Sequence, residues 1–503
     1  MDFLDPKLER RMHTKLLLGY CLVALAIGIT TLILLYWSYG FNVNRRGDVI
    51  LDGSLIVSSQ PNGAAIYLNN QRYKSNTDTR VTVPEGPYTL RVSETGYRPW
   101  ERPVVVQGSK IQYYNYLLLF PEVLHTTSVA DLAADPSVAT QSPDKRWLIL
   151  GLPEASGSFT LYDLKDPVKP VASTVVLPAA SFTPGSGRQS WTAIEWANDN
   201  RHVLFQHTYY TANGTPSREY ILLDRNTPAD SVNLTTTLKL SQTETLNLFN
   251  ARIDQFYVYD AKDQTLQHII SGNPVAVSVL QHVLAFKTYA DDKVLYITDQ
   301  SPTGKMTSGL VSAVLQVGQQ TTTLRSLPPA GAGSYMLNLA QYAGDWYVAI
   351  ASSGDTTAYI YKNPQDQPTA ASDTYPAPWR RVSVSGISFL SFSSSTQFLL
   401  AESGQQFVVY DFENMAQYRY TALQPLDQPQ THAVWMDGDR LAYVSDGKLE
   451  VFDYDYRNQQ SLVAANSAFL PFFSNDFSYL YTLRSPDATN PKPALTSTSL
   501  VVK

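Results

Sequence analysis

The hydrophobic pattern of the chain changes abruptly after its first forty residues. Residues 16–37 form an apolar run, and no charged side chain occurs between Lys15 and Arg45. A helix of this length spans about 33 Å, which is enough to cross the hydrocarbon core of a membrane. A cleaved signal peptide has a shorter apolar region of roughly 7–15 residues. The pattern therefore predicts a transmembrane signal anchor over residues 16–37.

The residues that flank this run predict its orientation. The cations before the run are Lys7, Arg10, Arg11 and Lys15, and those that follow it closely are Arg45 and Arg46. Lys and Arg favour the cytoplasmic side, so residues 1–15 are expected in the cytoplasm and the bulk of the chain outside it. Aromatic residues typical of a membrane interface end the run, namely Tyr36, Trp37, Tyr39 and Phe41. The expected location is a cell membrane, crossed once.

A second pattern, with a period of two residues, begins at residue 53 after a predicted linker over residues 38–52. Tyr88, Leu90 and Val92 alternate with polar residues, so one face of this strand is apolar. Turn-forming sequences separate the strands, and a strongly apolar strand over residues 111–120 ends the module. The pattern predicts six short strands that form a small β-sandwich over residues 53–120.

Four segments of this module resemble the PEGA domain family: GSLIV (53–57), PNGAAIYLN (61–69), VPEGPYTLRV (83–92) and TGYRPW (95–100). The positions that match the family's motif are Pro84, Glu85, Gly86, Gly96, Tyr97 and Trp100, whereas Pro87 replaces a small residue. The resemblance implies an extracytoplasmic β-sandwich of cell-surface and envelope proteins, and it does not imply an enzyme. Proline fixes φ and glycine permits positive φ, so the Pro-Glu-Gly turn is interpreted as structural.

A four-strand unit recurs every 35–50 residues over residues 122–503, a period typical of propellers and solenoids. The predicted third strand often ends in aspartate, at Asp163, Asp224, Asp260, Asp411 and Asp453. Turn sequences give eight units, of which the third, over about residues 244–272, looks short. The Ser-Pro-Asp turn and the terminal Tyr-Asp resemble WD40-like and TolB-like propeller repeats.

These repeats predict a β-propeller of seven or eight blades, since four-stranded units around an axis form that fold. Ring closure is expected to use a strand from residues 122–130. A long β-solenoid is the alternative. The predicted fold class is thus all-β after one N-terminal transmembrane helix, with a small PEGA-type β-sandwich and a propeller.

The net charge and the cysteine content narrow the range of functions that the sequence predicts. The net charge is −6 and no basic run follows the anchor, which predicts no nucleic-acid binding. The only cysteine, Cys21, lies inside the apolar run, so no disulfide stabilises the rest of the chain.

The sequence contains no G-x-S-x-G, H-E-x-x-H or glycine-rich phosphate motif. His202 and His207 are five residues apart and would face opposite sides of a strand, while His125, His268, His282 and His432 are predicted at the surface or in loops. Acidic turns at residues 291–292, 437–439 and 453–455 offer oxygen ligands for calcium, but Asp and Gly are also what hairpin turns require. No catalytic, cofactor-binding or metal-binding residue is predicted, and calcium binding stays open.

The resulting hypothesis is a non-enzymatic, membrane-anchored cell-envelope protein. The PEGA-like module would act as a spacer, and the propeller would bind a protein or a cell-wall polysaccharide. The alternative is a propeller hydrolase or lyase that acts on surface glycans. A hydrolase should place two carboxylates about 5–10 Å apart in a pocket.

Overall fold

The computed structural model describes residues 6–38, 41–43, 49–153, 157–185, 189–290, 292–300, 309–366, 375–427, 432–488 and 490–502. Predictions that concern Tyr39, Arg45, Arg46, Asp291, Lys503 and the side chain of Trp37 lie outside the described residues. The chain divides into two compact units. Unit 1 comprises residues 1–123 and 502–503, and unit 2 comprises residues 124–501.

Unit 1 begins with a long apolar helix, α1 (Pro6–Ser38). Its segment His13–Tyr36 has a mean hydropathy of 2.4 and is not buried by the rest of the chain. This segment is long and apolar enough to cross a membrane, and a signal sequence shares those properties. The rings of Tyr36 and Phe41 stack at the end of the helix, with their centroids 5.1 Å apart.

Two four-stranded sheets follow the helix in unit 1. The strands are β1 (Phe41–Val43), β2 (Val49–Gln60), β3 (Ala65–Leu68), β4 (Gln71–Asn76), β5 (Thr79–Pro84), β6 (Gly86–Ser93), β7 (Trp100–Val106) and β8 (Ile111–Leu118). One sheet joins β2 to β1, β5 and β8, and the other has the order β4-β3-β6-β7. Alternate side chains of both sheets enclose a single core that includes Leu55, Ile66, Val81, Leu90 and Trp100. The core therefore lies between the two sheets, as in the predicted sandwich.

The start of this module differs from the predicted linker over residues 38–52. Strand β1 pairs with the first residues of β2, with Phe41 opposite Leu51, so β2 begins four residues earlier than expected. Gly53 does not start the strand. A side chain at Gly53 would overlap the backbone oxygen of Gln107, so the glycine permits a close approach inside a continuous strand. The described residues from 49 to 118 form seven strands rather than six, and the last ends at Leu118.

Unit 2 consists, within the described residues, of eight four-stranded antiparallel sheets, here called blades 1 to 8. It begins with β9 (His125–Asp131). Blades 1 to 4 contain β10 (Val138–Gln141), β11 (Trp147–Gly151), β12 (Ser158–Asp163) and β13 (Val171–Val176); β14 (Ser190–Trp196), β15 (His202–Tyr210), β16 (Pro216–Asp224) and β17 (Val232–Asn233); β18 (Glu244–Leu248), β19 (Gln255–Asp260), β20 (Thr265–Ile270) and β21 (Asn273–Leu280); and β22 (Val283–Tyr289), β23 (Lys293–Thr298), β24 (Val311–Val317) and β25 (Gln320–Leu327).

Blades 5 to 8 continue the same arrangement. They contain β26 (Tyr335–Tyr342), β27 (Asp345–Ser352), β28 (Thr357–Lys362) and β29 (Arg380–Ser383); β30 (Phe389–Phe392), β31 (Phe398–Ser403), β32 (Gln406–Asp411) and β33 (Ala416–Thr421); β34 (Val434–Trp435), β35 (Arg440–Ser445), β36 (Lys448–Asp453) and β37 (Gln460–Ala464); and β38 (Phe472–Phe473), β39 (Tyr479–Arg484), β40 (Ala494–Ser499) and β9. The connections include a short helix, α2 (Leu234–Leu238), and 3-10 turns at Ala179–Ser181, Pro228–Asp230, Phe249–Ala251, Ala332–Ser334 and Pro364–Asp366.

Blade 8 closes the ring with the first strand of the unit. Strand β9 pairs with β40, so that Thr498 lies opposite Thr126, and their hydroxyl groups are 2.8 Å apart. The predicted closure by a strand near residues 122–130 is confirmed. The third blade, in contrast, is not short, because its fourth strand, β21, extends it to residue 280.

The hydrophobic core of unit 2 lies between neighbouring blades. Phe159 of blade 1 stacks on Phe205 of blade 2 with ring centroids 4.9 Å apart, and one cluster of buried residues joins both blades. Blades 4 and 5 share a similar cluster, which includes Leu315 and Ile350. Each sheet is therefore buried on both faces, which explains the long apolar runs in the middle strands.

Candidate functional site

The Pro84-Glu85-Gly86 sequence joins β5 to β6 in unit 1. The backbone N–H of Glu85 donates a hydrogen bond to the carbonyl of Leu51 (2.8 Å). A side chain on Gly108 would meet the carboxylate of Glu85 at 2.7 Å, so Glu85 lies against this part of the backbone. Gly86 has φ +148°, which favours glycine. These contacts hold the turn against strand β2.

The second half of the motif reaches the core and the end of the chain. Trp100 is 3% exposed, and its ring lies 6.2 Å from that of Tyr114 and 6.1 Å from that of Tyr116. The hydroxyl of Tyr97 accepts a hydrogen bond from the backbone N–H of Val502 (2.7 Å). Gly96 has a φ of +80°, and a side chain at this position would meet the side chain of Val502 at 3.4 Å. Gly96 and Tyr97 also line a cleft.

This unit 1 cleft has a volume of about 600 Å³. Its lining residues are mostly polar and include Tyr67, Arg72, Asn76, Arg91, Glu94, Gly96, Tyr97 and Glu122. Arg72 donates a hydrogen bond to Asn76 (2.8 Å), and the guanidinium of Arg91 lies 5.9 Å from the ring centroid of Tyr67. Two arginines and two glutamates share the cleft, so its charges balance.

In unit 2, two of the aspartates at strand ends pair with arginines. Arg146 donates two hydrogen bonds to Asp163 (2.9 and 2.7 Å), and Arg201 binds Asp224 in the same way. Burial raises the pKa of Asp224, but hydrogen bonds from Arg201 and from the backbone outweigh it and lower that pKa to about 2. Four of the five predicted positions end third strands, whereas Asp260 ends the second strand of blade 3.

Blade 7 carries a denser acidic cluster around one buried cation. Arg440 is 3% exposed, and its guanidinium lies 2.7 Å from the carboxylate of Asp437 and 3.6 Å from that of Asp453. Burial, reinforced by the charge of Asp437, raises the pKa of Asp439 to about 7. In the described residues, no three His, Cys, Asp or Glu side chains are placed to hold a metal ion. The structure therefore gives the calcium hypothesis no support.

Two buried glutamates of unit 2 each pair with a histidine. His207 Nδ1 lies 2.9 Å from Glu219, and its Nε2 lies 2.9 Å from the amide oxygen of Gln189. Glu219 also accepts hydrogen bonds from the backbone of Thr183 and from the amide of Asn233, and these bonds lower its pKa against the opposing effect of burial. Neither ring nitrogen of His207 faces a hydroxyl or thiol nucleophile, which a catalytic triad requires.

The second pair joins blade 6 to the segment that enters blade 7. His432 Nδ1 lies 3.1 Å from Glu402, whose second oxygen accepts the backbone N–H of Ala433 (2.9 Å). Burial raises the pKa of Glu402. His268 lies in strand β20, where it is half-buried and stacks on Phe249 with ring centroids 3.9 Å apart.

Unit 2 has a surface cleft of about 580 Å³ between blades 4 and 5. The unit 2 cleft is lined by Leu324, Arg325, Ser326, Tyr361, Tyr375, Pro376, Ala377, Pro378 and Arg381. These residues come from the outer strand β25 of blade 4 and from β28, β29 and the preceding segment of blade 5. None of these lining residues is a carboxylate or a histidine. The cleft is therefore positive.

The aromatic ring of Tyr359, on strand β28, contacts both arginines of this cleft. The guanidinium carbon of Arg325 lies 3.2 Å from the ring centroid of Tyr359, and that of Arg381 lies 5.8 Å from the same centroid. Tyr361 donates a hydrogen bond to the carbonyl of Leu324 (3.2 Å), which fixes blade 5 against blade 4. The positions of both guanidinium groups are thus set by strand packing.

Seven tyrosines that are adjacent or alternate in the sequence lie outside the unit 2 cleft. They are Tyr113, Tyr114, Tyr116, Tyr209, Tyr210, Tyr454 and Tyr456. Tyr114 and Tyr116 pack on Trp100, and Tyr456 stacks on Tyr420 with ring centroids 4.6 Å apart. No sequence motif indicates the unit 2 cleft, because its arginines lie in two different blades.

Comparison with known protein families gives a match within unit 1. Residues 52–118 match the PEGA domain family. No protein of curated function matches the chain in sequence. Similar solved structures include the Dos1 propeller (13% identity, 75% of this chain and 94% of that one, TM-score 0.39), Hsv2p of Kluyveromyces lactis (12%, 66% and 99%, 0.37), and oligogalacturonate lyase in complex with manganese (11%, 75% and 98%, 0.35). At these identities and TM-scores the likeness carries no argument about this chain, and the propeller is established by its own eight blades in the described residues. The chain thus combines a PEGA domain with a β-propeller of eight blades in its described residues.

Proposed function

We propose that this chain is a membrane-anchored cell-envelope protein that binds its ligand without catalysing a reaction. A PEGA domain joined to a propeller indicates a surface or binding role. In this proposal, α1 is the anchor, the PEGA domain is a spacer and the propeller carries the binding surface. The observation that carries the proposal is the unit 2 cleft, whose described lining has arginines and tyrosines but no group that titrates near neutral pH.

A hydrolase or lyase is the competing function, and the chemistry of the described residues argues against it. General acid–base catalysis needs a titrating group that reaches the substrate. Both oxygens of Glu402 and of Glu219 are already hydrogen-bonded inside the protein. Burial also raises the pKa of Tyr361, so its phenol stays protonated and is a poor base. Binding therefore accounts for the cleft better than catalysis does.

The anchor is supported by the apolar segment His13–Tyr36 and by the cations that precede it. We expect a reporter fused after Lys503 to be active only when the reporter functions outside the cytoplasm, because positive flanks stay inside. The full-length chain should fractionate with membranes and resist extraction at high salt. As a control, a chain without residues 1–37 should stay in the cytoplasm. Recovery of a soluble chain shortened near residue 38 would contradict the anchor and support a cleaved signal peptide.

A further inference from the structure

We propose that the unit 2 cleft is an oxyanion-binding site, and that its ligand is an acidic cell-wall polymer with carboxylate or phosphate groups. This inference rests on the proposed binding function and names the chemistry of the ligand.

No carboxylate among the described residues compensates the two positive charges of the cleft. The guanidinium groups of Arg325 and Arg381 both lie within 6 Å of the centroid of Tyr359, although like charges repel. No ion pair is recorded for either arginine among the described residues. Five other described arginines of unit 2 pair with carboxylates, among them Arg146 with Asp163 and Arg201 with Asp224. An anion between the two cations would relieve the repulsion.

Arg325, which lines the cleft, has one nitrogen that donates no hydrogen bond. Nε of Arg325 is buried and has no hydrogen-bond partner. A buried polar group without a partner costs roughly 1–3 kcal/mol, so native proteins rarely keep one without a reason. Guanidinium groups bind carboxylate and phosphate oxygens through two parallel hydrogen bonds. Arg325 lines the cleft, so an oxyanion bound there would meet the remaining donors of the same guanidinium.

The exposed aromatic ring at the edge of the cleft favours a polymer of sugar units over an acidic peptide as the ligand. Tyr375 is 46% exposed at the edge of the cleft, and Pro376 and Pro378 follow it. Its hydroxyl lies 2.5 Å from the hydroxyl of Ser326, which holds the ring in place. An aromatic ring held at its polar end leaves its face available to the apolar face of a sugar. A polymer with one anion per repeat could also reach both arginines at once.

The experiment measures the affinity of the full-length chain, in detergent micelles, for four soluble probes. These are an oligomer of glucuronic acid, an oligomer of glycerol phosphate, the first oligomer with its carboxylates reduced to alcohols, and oligoglutamate. We expect saturable binding of at least one anionic probe and at least tenfold weaker binding of the neutral one. The anionic probe that binds more tightly identifies the source of the oxyanion. Affinity should fall as salt increases.

Variants locate the site. Arg381 is exposed, so Arg381→Gln should keep the fold and weaken binding of the anionic probe at least tenfold. Arg325→Gln should do the same, with circular dichroism as the check on its fold. The matched control is Arg419→Gln, an exposed arginine on the outer strand β33 of the next blade, which should change affinity less than twofold.

Three outcomes would overturn the inference. The first is unchanged affinity of the Arg381→Gln variant for the anionic probe, and the second is equal affinity for the neutral and anionic probes. The third is binding of oligoglutamate as tight as that of the anionic oligomers, which would indicate an acidic peptide ligand. Binding of the neutral glycan alone would reject this inference while leaving the proposed binding function intact. Cleavage of a probe would reject the proposed function instead.

Discussion

Replacement of Trp100 by alanine is expected to unfold the PEGA domain while the propeller stays folded. The indole is almost fully buried and packs against the rings of Tyr114 and Tyr116. Truncation of a buried aromatic residue costs about 3–5 kcal/mol. A domain of about 70 residues rarely has more stability than that. The expected loss is therefore comparable to the whole free energy of unfolding of the domain.

The measurement is pulse proteolysis of the full-length chain at increasing urea, with fragments identified by mass. Cleavage within residues 53–120 should shift to low urea in Trp100→Ala, and cleavage within the propeller should not move. The matched control is Tyr113→Ala in strand β8, since the ring of Tyr113 is exposed. If Trp100→Ala behaved like this control, the core assignment of the domain would be wrong.

The second large effect is expected in blade 7, where Arg440→Met should destabilise the propeller by about 3–5 kcal/mol. The guanidinium of Arg440 compensates the buried carboxylate of Asp453 and the neighbouring carboxylate of Asp437. Removal of one partner leaves uncompensated buried charge, and this is the costly way to break such a pair. Arg252→Met is the matched control, because both side chains of its pair with Asp254 are about half-exposed and this pair should contribute at most about 1 kcal/mol. Equal urea midpoints for the two variants would contradict the role of Arg440.

The pH dependence of unfolding tests the same cluster independently. Burial gives Asp439 a pKa of about 7 in the folded chain, against its ordinary value of 3.8. Between these values the folded state binds more protons than the unfolded state, so this contribution to stability falls as pH rises from about 4 to 7. Asp439→Asn should remove the decline. Asp446→Asn, in an exposed turn of the same blade, should leave it unchanged.

Much of the fold could be predicted because it depends on local patterns. Alternation in residues 88–92 identified a strand of the PEGA domain, and terminal aspartates marked the ends of third strands in four blades. The errors arose where one residue has two structural uses. The sandwich was predicted to begin at Gly53, which lies inside β2, and the third unit was predicted to end near residue 272, where Gly272 instead forms a hairpin turn before β21.

The candidate site could not be predicted, because it depends on register and on contacts between blades. Tyr359 and Arg381 lie opposite each other only in the register that joins β28 to β29. Arg325 reaches the same ring from blade 4, 34 positions earlier in the chain. Sequence periodicity indicates which face of a strand is apolar, but it does not indicate which residue of the next blade that face meets.

One measurement tests the central claim, which is that the propeller binds without catalysis. Membrane vesicles that display the full-length chain are incubated with a labelled acidic cell-wall polymer, and the bound label and the length distribution of the polymer are measured in the same sample. We predict saturable binding and an unchanged length distribution, even after long incubation. Shortening of the polymer that disappears when a single carboxylate of the propeller is replaced would contradict this account and identify an enzyme.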